Sequence, residues 1–207
     1  MIDKKRSYHA KISVVGGGPA GLAAAEFLIT QGYAVDVYDA KPAVLRKFLV
    51  AGKGGLNLTR SEDLKTFLSH YSARMTELEP FLQNFGPSQI RNWAALLGFE
   101  TFVGSSGKVF PKDMQAISLR IAWIQRLKQM GVRFHLNHRW LGWDENRNLL
   151  FQTPSTPIIV NTDAVILALG GASWPKTGSD GAWVEIFQQQ GFEISPLKPA
   201  NCGFEVA

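Results

Sequence analysis

Between Lys11 and Pro42 the chain reads KISVVGGGPAGLAAAEFLITQGYAVDVYDAKP. Gly16, Gly18 and Gly21 stand in G-x-G-x-x-G spacing, directly between an apolar run and an alanine-rich stretch. The chemistry this spacing serves is the holding of a diphosphate. The first glycine permits a tight turn. The second lets backbone approach a pyrophosphate, and the third lets a helix pack closely on a strand. The start of that helix then offers free N–H groups and a positive dipole end. Asp39 follows Gly21 by 18 residues, at the end of the next apolar run. A carboxylate there can accept hydrogen bonds from ribose 2′- and 3′-hydroxyls, and it repels a 2′-phosphate.

These residues need elements to position them. Residues 11–15 read as a buried strand. Residues 19–31 read as a helix with Leu22, Ala25, Leu28 and Ile29 on one side and Gly32 past its end. Residues 33–38 form a second strand, so the chain opens as a βαβ unit. Residues 40–60 lack periodicity but carry AGKGGLNLT, whose glycines let N–H groups face a ligand while Lys53 opposes negative charge. A mostly helical region follows. Ser61 is expected to cap EDLKTFLSHY, and Pro87 to open PSQIRNWAALLG, which Gly98 ends. FETFVGSSGKVFP reads as a hairpin turning at 104–107.

A helix over about 112–130 would bury the stripe Met114, Ile117, Ile121, Ile124, Leu127 and Met130. VRFHL is a candidate third parallel strand. RWLGW, NLLFQT and PIIVN read as an antiparallel meander. DAVILALGG reads as a strand buried on both faces. A last helix, over about 180–190, would be capped by Ser179 and closed by Gly191, and the chain ends in a stretch that looks like a strand.

The bulk numbers narrow the function class. The 207 residues are 45% hydrophobic, enough for a real core. The net charge is +5, but the basic residues are scattered apart from Lys4, Lys5 and Arg6. That balance suits a small anionic ligand rather than nucleic acid. The single cysteine, Cys202, excludes an intrachain disulfide and a cysteine zinc site, and fits the reducing cytosol. The leader MIDKKRSYHA lacks the apolar region of a signal peptide, and no apolar run approaches a membrane span. His135 and His138, three apart at a strand end, should point to opposite faces, so no metal site is expected. Ser105 and Ser106 lie in a turn without a His–Asp partner pattern. Asp180 reads as a helix cap. No catalytic acid or base stands out.

The order of third strand, meander and the run ending Gly170-Gly171 is similar to the two-dinucleotide-binding-domain flavoproteins. There TDAVILALGG resembles the second FAD signature. The stretch RKFLVAGKGGLNLTRSE (46–62) is more specific. Together with VGSSGKVFPKDMQA and LALGGASWPKTGSDGAW, it resembles the BaiN/YhiN-like NAD(P)/FAD-dependent oxidoreductases, from about Lys11 onward.

The resemblance implies an α/β fold: a Rossmann-like FAD-binding domain with a parallel sheet, an antiparallel β-meander and a mostly helical insert. It implies a flexible leader at 1–10, a first FAD-binding segment at 11–60, an insert at 61–111, and the rest of the FAD domain at 112–207. It places Gly16, Gly18, Pro19, Ala20 and Gly21 on the pyrophosphate, and Asp39 and Lys41 on the adenosine ribose. Arg46, Lys47, Gly52, Lys53, Gly54, Gly55, Asn57 and Thr59 would line the path to the ribityl and flavin. Trp140 would lie near adenine, and Gly170 and Gly171 would border the cofactor. Trp174 either flanks the flavin or anchors its loop.

The implied activity is that of a cytoplasmic bacterial flavoprotein passing electrons from NAD(P)H to a small organic acceptor, with no nucleic-acid or membrane partner. The chain departs from many relatives in having Gly55-Leu56 where they have Arg-Cys. It also corresponds to only the N-terminal part of their length. A truncated FAD-binding fragment without an active site, and an NAD-dependent dehydrogenase, stay open as alternatives.

Overall fold

A computed structural model describes residues 8–198. Cys202 and the Lys4–Arg6 cluster lie outside the described residues. In chain order the elements are β1 (Lys11–Val15), α1 (Pro19–Thr30), β2 (Ala34–Asp39), α2 (Arg46–Ala51), β3 (Thr59–Arg60), α3 (Leu64–Ser69), α4 (Met75–Asn84) and α5 (Pro87–Leu96). Then come β4 (Thr101–Val103), β5 (Lys108–Pro111), α6 (Ala116–Met130), β6 (Arg133–Leu136), β7 (Arg139–Trp143), β8 (Leu149–Gln152), β9 (Ile158–Val160), β10 (Ala164–Leu167) and α7 (Trp183–Gln189). The fold is Rossmann-like α/β, and the chain divides into two compact units: residues 1–47 with 127–207, and residues 48–126. Residues 48–60, read from sequence with the first segment, fall in the second unit.

The first unit is built on a parallel sheet of order β10-β1-β2-β6. Register pairs Ile12 with Val35 and Val14 with Val37, and Ser13 with Asp36 and Val15 with Tyr38. Alternation therefore gives the sheet two different faces. Val15 and Tyr38 join a buried cluster with Trp140, Leu149, Phe151 and Val160 of the meander β7-β8-β9. The opposite face, with Ile12, Val14, Val35 and Val37 all buried, is left to α1, whose Leu22, Ala25 and Ile29 are buried.

β10 departs from expectation. It is an edge strand, its residues alternate in exposure, and Ile166 is 38% exposed. An apolar run marks a strand without saying how many neighbours cover it. The cap of α7 also differs. The Ser179 hydroxyl donates to the Gly171 carbonyl instead, while Asp180 accepts from Ala182 N–H at 3.2 Å and pairs with Arg139 at 2.8 Å. Residues 192–198 carry no regular structure, and the rest of the expected terminal strand lies outside the described residues.

The second unit has its own antiparallel sheet, β3-β5-β4, with the hairpin turning at Gly104–Gly107 as expected. Its core joins Leu56, Ala94, Ala116 and Leu119. The cap of α3 is Asp63, which accepts from Thr66 N–H at 3.0 Å, rather than Ser61. The buried face of α6 matches the expected stripe only at Leu127. Ala116, Leu119, Trp123 and Leu127 are buried, whereas Ile117 and Ile121 are 52% and 47% exposed.

Candidate functional site

The turn from β1 to α1 shows why its glycines are glycines. Gly16 has φ +109°, and a Cβ there would lie 2.2 Å from the Ala168 carbonyl oxygen. A Cβ on Gly21 would lie 1.9 Å from the Gly16 carbonyl oxygen. Around Gly18 a Cβ would meet nothing within 4 Å. Two positions are thus closed by backbone approach, and the middle one opens onto free space. Gly18 caps α1 without a side chain and Pro19 follows it. The first-turn N–H groups have no intrahelical acceptor. This is the geometry of an anion cradle.

Gly17, which the spacing does not single out, is equally constrained. A Cβ there would meet Val44 at 2.3 Å and Asp39 at 2.8 Å. Its N–H donates to Asp39 Oδ2 at 2.8 Å, and Lys41 N–H donates to Asp39 Oδ1 at 2.8 Å. Asp39 therefore locks the glycine turn to the end of β2. Burial pushes its carboxyl above the ordinary value, against the lowering by the Lys41 and Gly17 N–H groups and the charges of Lys41 and Arg46. Each carboxylate oxygen has a further lone pair to offer a hydroxyl.

Two cavities open around this turn, both lined entirely by the first unit. The smaller, about 150 Å³, is bounded by Gly16–Pro19, Asp39, Arg46, Lys47 and Gly170 among others. Arg46 Nε is buried there with no hydrogen-bond partner among the described residues. Lys47 Nζ donates to Ser173 Oγ at 2.9 Å. An orphaned guanidinium N–H beside an open Gly18 and a bare helix start fits a diphosphate. The larger cavity, about 270 Å³, is walled by Tyr38, His138, Arg139, Trp140, Trp183 and Ile186 among others. Gly16, Asp39, Leu169 and Gly178 border both. A carboxylate at the junction of a phosphate-sized and a base-sized space stands where a ribose would.

The sequence-derived residues divide accordingly. Gly16, Gly18, Pro19, Asp39, Arg46, Lys47 and Gly170 line the smaller cavity. Trp140 lines the larger, buried, with its indole Nε1 unpartnered among the described residues. Ala20 is exposed on α1, and Gly21 lies beneath the turn. Lys41 and Gly171 line neither: a Cβ on Gly178 would touch the aliphatic stem of Lys41, and Gly171 accepts from Ser179. Gly52, Lys53, Gly54 and Gly55 line a cavity of the second unit with Met114 and Ala116. Asn57 is exposed and Thr59 buried in that same unit.

Sequence reasoning missed Gly17, the Thr177–Asp180 segment and His138. It also misplaced the histidines. His135 and His138 do not diverge; their ring centroids are 5.7 Å apart, and both rings lie beside Tyr38. Alternation fails because β6 ends at Leu136 and Asn137 turns at φ +57°.

Solved structures share this architecture at low identity. The THI4 protein of Thermovibrio ammonificans matches with a TM-score of 0.57 and 14% identity, over 89% of this chain and 64% of its own. The 3-ketosteroid-delta4-(5alpha)-dehydrogenase of Rhodococcus jostii RHA1 matches with a TM-score of 0.67 and 15% identity, over 93% of this chain and 56% of its own. The chain thus spans under two thirds of either structure. No curated protein matches the sequence. Residues 10–203 match the HI0933-like protein Rossmann domain, and the chain belongs to that family.

Proposed function

We propose that the protein is an FAD-dependent oxidoreductase. The observation that carries this reading is the pair of cavities meeting at Asp39. Together they offer a diphosphate cradle, a ribose acceptor and a base-sized pocket with aromatic walls in the order an ADP moiety requires. Gly18 and the α1 N–H groups bind the phosphates, with Arg46 and Lys47 neutralising charge. Asp39 orients the ribose. The resemblance of TDAVILALGG to the second FAD signature, and of residues 46–62 to the BaiN/YhiN-like oxidoreductases, favours a flavin dinucleotide over NAD. When bound, the flavin supplies the two-electron redox chemistry, while protein groups fix its position and surroundings. NAD(P)H is the proposed donor and a small organic molecule the acceptor, on the strength of the 46–62 likeness. Gly52–Gly55, Asn57 and Thr59 are proposed toward the ribityl and flavin, and a cytoplasmic location goes with the reading. No described helix is long and apolar enough to cross a membrane.

Gly18→Val tests it. Gly18 has φ −80° and open surroundings, so valine fits the fold and costs only about 1 kcal/mol as a poorer cap. It fills the space meant for phosphate. The purified wild type should show the visible bands of oxidised flavin after FAD is added. Gly18→Val should remain folded by circular dichroism and stay colourless. Equal flavin content in the two proteins would refute the phosphate assignment.

A further inference from the structure

We propose that His138 is a base-specificity residue: its Nε2 accepts a hydrogen bond from the exocyclic 6-amine of a purine in the larger cavity. This rests on the nucleotide reading above and goes beyond it, since no part of that reading says how the base is chosen. His138 follows the Asn137 turn, and its own N–H donates to the Asp39 carbonyl at 2.8 Å. It is therefore fixed to the residue that would hold the ribose, and His138 is among the residues that line the larger cavity.

The ring is held in one tautomer. His138 Nδ1 lies 2.7 Å from the Leu136 carbonyl oxygen. A carbonyl only accepts, so Nδ1 carries the hydrogen, and Nε2 of the neutral ring is an acceptor. No described residue donates to it. Tyr38 at 5.8 Å and Phe151 at 6.3 Å, centroid to centroid, confine the ring from the core side.

The other polar groups of this cavity are engaged, exposed or buried. Arg139 is paired with Asp180 at 2.8 Å, and Asp180 also takes the Ala182 N–H. Glu185 is exposed on α7. The Trp183 indole donates to the Gly170 carbonyl at 3.0 Å, and the unpartnered Trp140 indole N–H is a buried atom. Of the cavity's other polar side chains, His138 is the acceptor held in place. Acceptors select an amine. Adenine presents one at position 6, whereas hypoxanthine presents a carbonyl oxygen there and would set two acceptors against each other. A buried mismatch of this kind discriminates more sharply than lost contact area does.

The test is calorimetric titration of the purified chain with ADP and with inosine 5′-diphosphate. The wild type should bind ADP about tenfold more tightly, the worth of one such hydrogen bond. His138→Phe keeps a ring against Tyr38 and removes the acceptor. It should bring the ratio close to one through loss of ADP affinity, with inosine diphosphate binding retained. His138→Leu should do the same, and Glu185→Gln should leave the ratio within about twofold. A tenfold preference surviving in both His138 variants overturns the proposal, as does a wild type that binds the two nucleotides equally, and in both cases the nucleotide site itself stands. A wild type that binds neither overturns both readings.

Discussion

Asp36 and Asp39 lie three residues apart on β2, and their carboxyls are shifted in opposite directions. Asp36 is 2% exposed and meets Arg133 at 2.7 Å, His135 at 2.8 Å and Lys11 at 3.9 Å. Burial raises its pKa, but the hydrogen bonds from His135 and Arg133 outweigh burial and hold it below the ordinary 3.8. A depressed folded pKa gives stability that is present above the unfolded value. That stability is lost as pH falls below 3.8 toward the folded value. We expect Asp36→Asn to cost about 2 kcal/mol at pH 7, a loss moderated by its half-exposed partners. Urea unfolding should show the gap between variant and wild type closing below pH 3.8; a gap constant down to pH 3 would remove the ion-pair account. Asp39 takes its hydrogen bonds from backbone N–H groups rather than from cation side chains, and burial outweighs these bonds and the charges of Lys41 and Arg46. A raised folded pKa means that stability is lost as pH rises through it. The acid at the end of β2 was legible from its spacing to Gly21. Its bond to Gly17 was not, because only the folded turn brings that N–H to the carboxylate.

At the scale of elements, periodicity located strands and helices but not always their faces. On α6 the expected series Ile117, Ile121, Ile124 and Leu127 and the series Ala116, Leu119, Trp123 and Leu127 both repeat at helical spacing, about one position out of phase until they meet at Leu127. One position is roughly 100° of rotation. The structure buries the second series, where Trp123 meets Trp93 edge to face at 4.8 Å. Counting large aliphatics favoured the wrong face, since alanine at 116 adds little hydrophobicity yet permits close packing: a Cβ on Gly52 would lie only 2.3 Å from Ala116 Cβ. We expect Ile121→Lys to change stability by less than about 0.5 kcal/mol, and Leu119→Ala to cost about 3 kcal/mol. Urea midpoints that reverse this order would restore the stripe expected from the sequence. The β10 misreading has a related cause. The composition of Ala164–Leu167 specifies a strand, and only the sheet order shows that it stands at an edge.

At the scale of the whole chain, each unit has a core cluster of its own, and the residues lining the two cavities around the glycine turn all belong to the first unit. Nucleotide affinity should therefore respond to where a core is damaged, not merely to how much stability is lost. Phe151 is fully buried and stacks on Tyr38 at 4.4 Å, and Tyr38 is a wall of the larger cavity. Leu119 is as deeply buried, but in the second unit. Truncation of either to alanine should cost roughly 3–4 kcal/mol. Below the melting range of both variants, ADP titration should separate them. Phe151→Ala leaves Tyr38 without its stacking partner and should weaken ADP about tenfold, since a misplaced wall loses contact with the base and loosens His138 beside it. Leu119→Ala should leave ADP affinity within about twofold of wild type, because Leu119 packs in the core cluster of the second unit and lines neither cavity. Equal losses in the two variants would mean that the cavity depends on the integrity of the whole chain. Affinity would then track global stability, and assignment of the nucleotide site to the first unit alone would fail.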